Sequence, residues 1–176
     1  AEFERKAAAG TVAECVHRVS VRRGDAIFLR GGRIHGLNAG LIIFEIQQNS
    51  DTTYRVFDWN RAGLDGKPRA LHIPQSLASI DFNDFEPALL PAAFIQEGGY
   101  KVRPLVRNPL FTVEVYEAGA GVNVPLQPKK MQIVALLTGR VSVDDGPATL
   151  SLTAGQFGLV PASLAQVAVR AETPAT

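Results

Sequence analysis

GDAIFLRGGRIHGLNAGLIIFEIQQNSDTTYRVFDWNR, residues 24–61, alternates short apolar runs with turn-forming residues. The runs at 26–29 and 41–47 have the length and composition of strands, and Gly24, Gly31–Gly32 and Asn38–Gly40 punctuate them. The same rhythm continues in both directions. Strands are expected at 15–21 and 54–59, and again at 111–117, 132–137, 140–143, 148–152, 157–160 and 166–170. Helical signals are few. One covers 2–9, with Gly10 as its C-terminal stop, and one covers 74–80, where Pro74 sits at a tolerated first position. Many short strands and few short helices predict a mainly all-β chain of sandwich or barrel type.

Residues 83–109 break the rhythm, with Pro87, Pro91, Pro104 and Pro109 and little periodicity. They read as a connection between a first unit, 1–82, and a second, 110–176. An internal likeness supports the division: GDAIFLRGGRIH at 24–35 aligns without a gap on GQFGLVPASLAQ at 155–166. Both begin with Gly and a polar residue, run through apolar residues and break at small ones. The alignment sets His35 opposite Gln166. A metal held at that position in the first unit would be lost from the second.

The chain has 176 residues, 46% of them apolar and 20% charged, which is ordinary for a folded globular protein and excludes a disordered tail. Lys and Arg number 18 against 17 Asp and Glu, so the net charge of +1 leaves no electrostatic footprint for nucleic acid or an acidic membrane. The most hydrophobic run, 41–44, is far too short to span a bilayer, and no signal peptide is expected before it. A single cysteine, Cys15, precludes an intrachain disulfide and makes the cytoplasm the default compartment.

The densest polar cluster is EIQQNSDTTYRVFDWNR, 45–61. On a strand, Glu45, Gln47 and Asn49 share one face. Glu45 follows four apolar residues, where a buried strand would place another Leu or Val. A carboxylate there needs a cation or several donors, unless the strand ends in solvent. His35 follows two glycines and a strand-like run, so it either projects into a cavity as a ligand or is an ordinary hydrogen-bonded histidine. Cys15 and His17 would share a strand face, a pairing common by accident. His72, near Pro74, packs or caps the short helix. Asp51 holds a turn or lines a site, and Arg55 pairs with Glu45 or Asp58 or is free for a ligand. The chain has no glycine-rich phosphate loop and no serine in a nucleophile elbow.

Residues 31–61 resemble the type I phosphomannose isomerases. The bacterial forms carry a pattern of the kind P-A-G-x-x-H-A…G…E-x-Q-x-x-S-D-x-T-Y-R-x-x-D. Gly32, His35, Gly40, Glu45, Gln47, Ser50, Asp51, Thr53, Tyr54, Arg55 and Asp58 match it in order. GKPRALHIPQSLASIDF, 66–82, is similar to the bacterial short forms, and the remainder to their C-terminal cupin. The resemblance implies two tandem cupin-like β-barrel or jelly-roll units, the first incomplete. It implies an aldose–ketose isomerase that interconverts mannose 6-phosphate and fructose 6-phosphate, with a sugar phosphate as its small-molecule partner. In the family a divalent ion, usually zinc (Zn2+), is held by a Gln, two His and a Glu; one of those histidines carries over to His35. Arg55 carries over to the active site, with Asp51 and Glu45 lining the same cavity. An enediolate needs a fixed positive charge or metal, and a carboxylate or metal-bound water to move the proton.

This sequence departs from the pattern at Arg30 and Gly31, where the family has Pro and Ala. The family's Gln-x-His pair, its glutamate ligand and a lysine are expected upstream of everything here. The chain therefore reads either as a shortened isomerase, completed by an upstream segment or by a second chain at an open sheet edge, or as a stand-alone relative that lost the metal. The alternative function is a non-catalytic, cupin-type protein binding a carbohydrate or sugar phosphate. A purely structural β-sandwich would leave the 45–55 cluster unexplained. The isomerase reading expects His35, Glu45 and Arg55 to face one cavity, and Gln166 to face a metal-free, apolar interior.

Overall fold

The computed structural model describes residues 1–176 except Asp51, Leu64, Asp145 and Ala165. It divides the chain into two compact units, Ala1–Leu90 and Pro91–Thr176.

The second unit contains every strand among the described residues: β1 Ile95–Glu97, β2 Tyr100–Arg107, β3 Thr112–Ala118, β4 Asn123–Pro125, β5 Gln132–Ala135, β6 Arg140–Asp144, β7 Thr149–Thr153, β8 Phe157–Val160 and β9 Ala168–Ala171. All pairings are antiparallel. β6 pairs with β7, β5 with β8 and β4 with β9, so the hairpin is wrapped in nested pairs, the topology of a cupin-like jelly roll. A further β6–β9 pairing completes the sheet order β4-β9-β6-β7, and β1-β2-β3 forms a second sheet. Strand alternation builds the core. Val141 and Val143 of β6, Leu152 of β7, Val160 of β8 and Val169 and Ala171 of β9 turn inward with Val124, Leu136 and Ala175. The last residues are stitched in: Ala118 and Ala175 exchange backbone bonds of 3.0 and 2.9 Å, and the amide of Leu137 donates to the Thr176 carbonyl at 2.8 Å. Gly139, at φ +85°, passes so close to Pro174 and Ala175 that a β-carbon there would overlap their backbone.

Two sequence expectations are corrected in this unit. The 83–109 stretch is not all connection: β1 and β2 lie inside it. β2 runs through Pro104 because the register shifts between Pro104 and Val106, and an irregularity of this kind accommodates a residue without an N–H. Gln166 is exposed and does not face the interior.

The first unit is built differently. Helix α1, Glu2–Ala8, a 3-10 turn at Val12–Cys15 and helix α2, Ile73–Ser79, frame it. α1 ends as the sequence implies, with Gly10 just beyond it at φ +71°. The core is small: Ala7, Val12 and Val56, with Phe3, Ile34, Phe57 and Ile73 packed against it. Arg33 clamps the intervening chain, donating to both carboxylate oxygens of Asp84 and, at 2.9 Å, to the carbonyl of Phe28. The strands expected at 15–21, 26–29, 41–47 and 54–59 are absent among the described residues. These runs carry β-forming side chains, but a strand also requires a ladder partner, and none is formed here. Leu41, Ile42, Ile43, Phe44 and Ile46 are all exposed.

Candidate functional site

The histidine of the motif is set by a turn. Gly32 takes φ +88°, its carbonyl accepts from the Asp81 amide at 2.9 Å, and a side chain there would press on Ser79. Three residues on, His35 is exposed, and its Nδ1 lies 3.1 Å from the Arg33 carbonyl. That bond requires Nδ1 to carry a proton, so the neutral ring has its lone pair on Nε2, the tautomer in which imidazole ligates a metal.

Glu45 is exposed, not buried as a strand reading requires, because the 41–47 run is unpaired; its carboxylate remains in water without a partner cation among the described residues. Gln47 reaches back to the Ser50 carbonyl at 3.4 Å. Asp51 lies outside the described residues. Arg55 is half-buried, and its guanidinium has no ion pair among the described residues. Its backbone is held twice by one residue. The His72 amide donates to the Arg55 carbonyl at 2.7 Å, and the Arg55 amide donates to Nδ1 of His72 at 3.1 Å.

Asp58 closes the motif and is buried. It takes Arg69 in a two-point clasp, Nε at 2.8 Å with Nη2 on the other oxygen, and Arg61 Nη2 at 3.0 Å. These donors hold its carboxyl well below the usual aspartate range, Arg69 contributing most. They also answer the question of Arg55: Asp58 is already paired, so Arg55 is not its partner. The clasp closes a tight turn in which the Arg61 amide donates to the Asp58 carbonyl at 3.1 Å. Trp59 and Asn60, at φ +55° and +52°, sit in the left-handed region, an uncommon conformation for a tryptophan.

Other candidates fall away. Cys15 ends a 3-10 turn and is exposed, so it shares no strand face with His17, whose Nδ1 is 4.0 Å from Glu86. His72 stands at the N-cap of α2 but makes no side-chain cap bond; its imidazole is spent on Arg55. Sequence reasoning missed that clamp and the Arg61–Asp58–Arg69 clasp, since nothing local links residues 17 and 11 positions apart. No hydrogen bond or ion pair joins His35, Glu45 and Arg55 to one another among the described residues. Nor do three His, Cys, Asp or Glu side chains gather as a metal group there. His35 offers one suitable nitrogen, whereas zinc needs three or four protein ligands, so the described residues do not by themselves fit a zinc ion. Two clefts, one beside Tyr100, Lys101 and Thr176 and one beside Leu110, Glu114 and Met131, lie in the second unit and involve none of the motif residues. No helix is long and apolar enough to cross a membrane among the described residues.

No family model matches the chain. It is 31% identical over 160 residues to the mannose-6-phosphate isomerase of Streptococcus mutans, an alignment covering 91% of this chain and 50% of that protein. It is 25% identical over 168 residues to the probable mannose-6-phosphate isomerase GmuF of Bacillus subtilis, covering 96% and 53%. Among solved structures, the mannose 6-phosphate isomerase of Bacillus subtilis superposes with a TM-score of 0.61 at 20% identity, over 73% of this chain and 40% of that one. The chain spans about half the length of the curated relatives it matches.

Proposed function

We propose that this chain, which is type I phosphomannose isomerase-like over about half its relatives' length, is part of an aldose–ketose isomerase interconverting mannose 6-phosphate and fructose 6-phosphate. One observation carries the reading: identity to curated isomerases runs through nearly the whole of this chain. The ordered motif at 31–61 falls within it.

The reaction moves a proton between C1 and C2 of the open-chain sugar through an enediolate. On this reading Arg55 supplies fixed positive charge to the developing oxyanion or to the phosphate. Its lack of an ion-pair partner among the described residues leaves that charge available. Glu45 is the carboxylate that accepts and returns the proton, with Asp51 the second carboxylate of the motif. His35, whose Nδ1 bonds the Arg33 carbonyl and leaves Nε2 facing outward, is the residue of the motif offered as a zinc ligand; the remaining ligands must come from outside the described residues. The complementing strands of the first unit come from a further segment or from a second chain pairing with the run 41–46, whose apolar side chains Leu41 to Phe44 and Ile46 are exposed. The cytoplasm suits this reading, with Cys15 a free thiol.

The test replaces the matching half of the Streptococcus mutans enzyme with residues 1–176 and measures coupled isomerase activity with zinc. The chimera is expected to turn over, Arg55→Ala to lose about a hundredfold or more in kcat/KM, and residues 1–176 alone to show no measurable turnover. A folded, zinc-loaded chimera without activity, or a fully active Arg55→Ala variant, overturns the reading. A second reading, non-catalytic binding of a sugar phosphate, is favoured by the single ligand His35. It predicts that fructose 6-phosphate binds to residues 1–176 with no zinc retained on dialysis.

A further inference from the structure

We infer that His72 is a positioning residue for Arg55, its imidazole standing in for a backbone carbonyl in a two-point clamp. The inference rests on the role proposed above for Arg55. In a hydrogen-bonded antiparallel pair, two residues exchange both N–H···O bonds. Arg55 and His72 form half of such a pair in the usual way, the His72 amide donating to the Arg55 carbonyl at 2.7 Å. The return bond is not made: the His72 carbonyl turns into the first turn of α2, where it accepts from the Ser76 amide at 2.8 Å. The imidazole fills the gap: Nδ1 accepts from the Arg55 amide at 3.1 Å.

The chemistry of this bond is specific. Nδ1 accepts only when the ring is neutral with its proton on Nε2. A residue without an acceptor one bond beyond Cγ leaves the Arg55 amide without this partner. The clamp is also braced. Val56, next to Arg55, and Ile73, next to His72, belong to the same apolar cluster, and the ring of Tyr54 meets that of His72 edge-on at 6.3 Å. Both ends are therefore tied to the core of the first unit, whereas the run just upstream is exposed. His72 thus fixes the backbone from which the Arg55 guanidinium extends, at the junction between exposed chain and packed core.

The experiment uses 15N-labelled residues 1–176. A scalar coupling across the N–H···N bond is expected between the Arg55 amide nitrogen and His72 Nδ1, with the ring in its Nε2–H form. His72→Leu is expected to speed exchange of the Arg55 amide about tenfold while amides of the second unit are unchanged. His72→Asn, whose Oδ1 occupies the place of Nδ1, is expected to restore protection. Absence of the coupling in the unmutated chain, or unchanged Arg55 exchange in His72→Leu, overturns the clamp even if the variants fold poorly. In the chimera, His72→Leu is expected to lower kcat/KM about tenfold alone and to add nothing to Arg55→Ala, the signature of action through Arg55. Additive losses overturn the positioning role. An inactive chimera with the coupling present sinks the isomerase reading and leaves the clamp standing.

Discussion

The two units are nearly equal in length and are both written in strand-like apolar runs, yet only Pro91–Thr176 assembles strands among the described residues. In that unit each run finds its partner within the chain, and nested pairing turns alternation into a core of nine buried residues among those described. In Ala1–Leu90 the runs between 15 and 59 form no strand among the described residues, where the core is Ala7, Val12 and Val56, held by two short helices and a few ion pairs. The lesson is that alternation sets which face of a strand would be buried, while the ladder decides whether there is a strand at all. The candidate site belongs to the unit whose ladder is missing. Its charged residues are correspondingly tied down by side chains: Asp58 by Arg61 and Arg69, Arg33 by Asp84, and Arg55 by His72.

The sharpest test of the contrast is Gly139→Ala. The new methyl group meets the backbone of Pro174 and Ala175 and forces a left-handed alanine, so the second unit should lose about 3–4 kcal/mol. Gly155→Ala, at φ +87° with open space around it, should lose only about 1 kcal/mol. Thermal unfolding of both variants checks the pair, and equal losses would mean that the C-terminal stitching contributes nothing. Next comes Leu152→Ala. Leu152 is 3% exposed in the nested core, and its truncation should cost about 3 kcal/mol by denaturant unfolding. Ile43→Ala, at 48% exposed in the first unit, should fall within about 0.5 kcal/mol of zero. A comparable cost at both positions would show that residues 41–46 are buried in solution.

The smallest effect is confined to acid. The Asp58 carboxyl is held below its ordinary value, so the stability it contributes is fully present above the aspartate range and is lost as pH falls through it. Protection of first-unit amides, measured relative to intrinsic exchange at each pH, should therefore fall below about pH 4. Asp58→Asn should remove that pH dependence and leave the second unit untouched. An unchanged acid profile in the variant would separate the clasp from the stability of the first unit.

Much of the second unit was legible. The runs expected at 111–117, 132–137, 140–143, 148–152, 157–160 and 166–170 correspond to β3 and β5 to β9 with small shifts at their ends. β2 was hidden by Pro104, whose bulge no local pattern announces, and β4 by its length of three residues. Both helices were marked by their stop and start residues. For the site, the resemblance picked out His35, Glu45 and Arg55, but nothing local said which would be exposed. Exposure depends on what covers a residue, and that is not written in the residues next to it. The Arg55–His72 clamp was illegible for a related reason: at the start of helix α2 the His72 carbonyl turns toward Ser76 and its side chain meets the Arg55 amide instead.

The exposed run at 41–46 also governs how the protein behaves in a tube. LIIFEI combines β-forming side chains with one charge, and the first proline in the chain is Pro68, so neither feature blocks strand-to-strand stacking. With a net charge of only +1, long-range repulsion between molecules is weak. The exposed run is therefore a candidate site for self-association of the first unit. The concentration at which samples turn cloudy should fall as salt screens Glu45, the lone gatekeeper of that run.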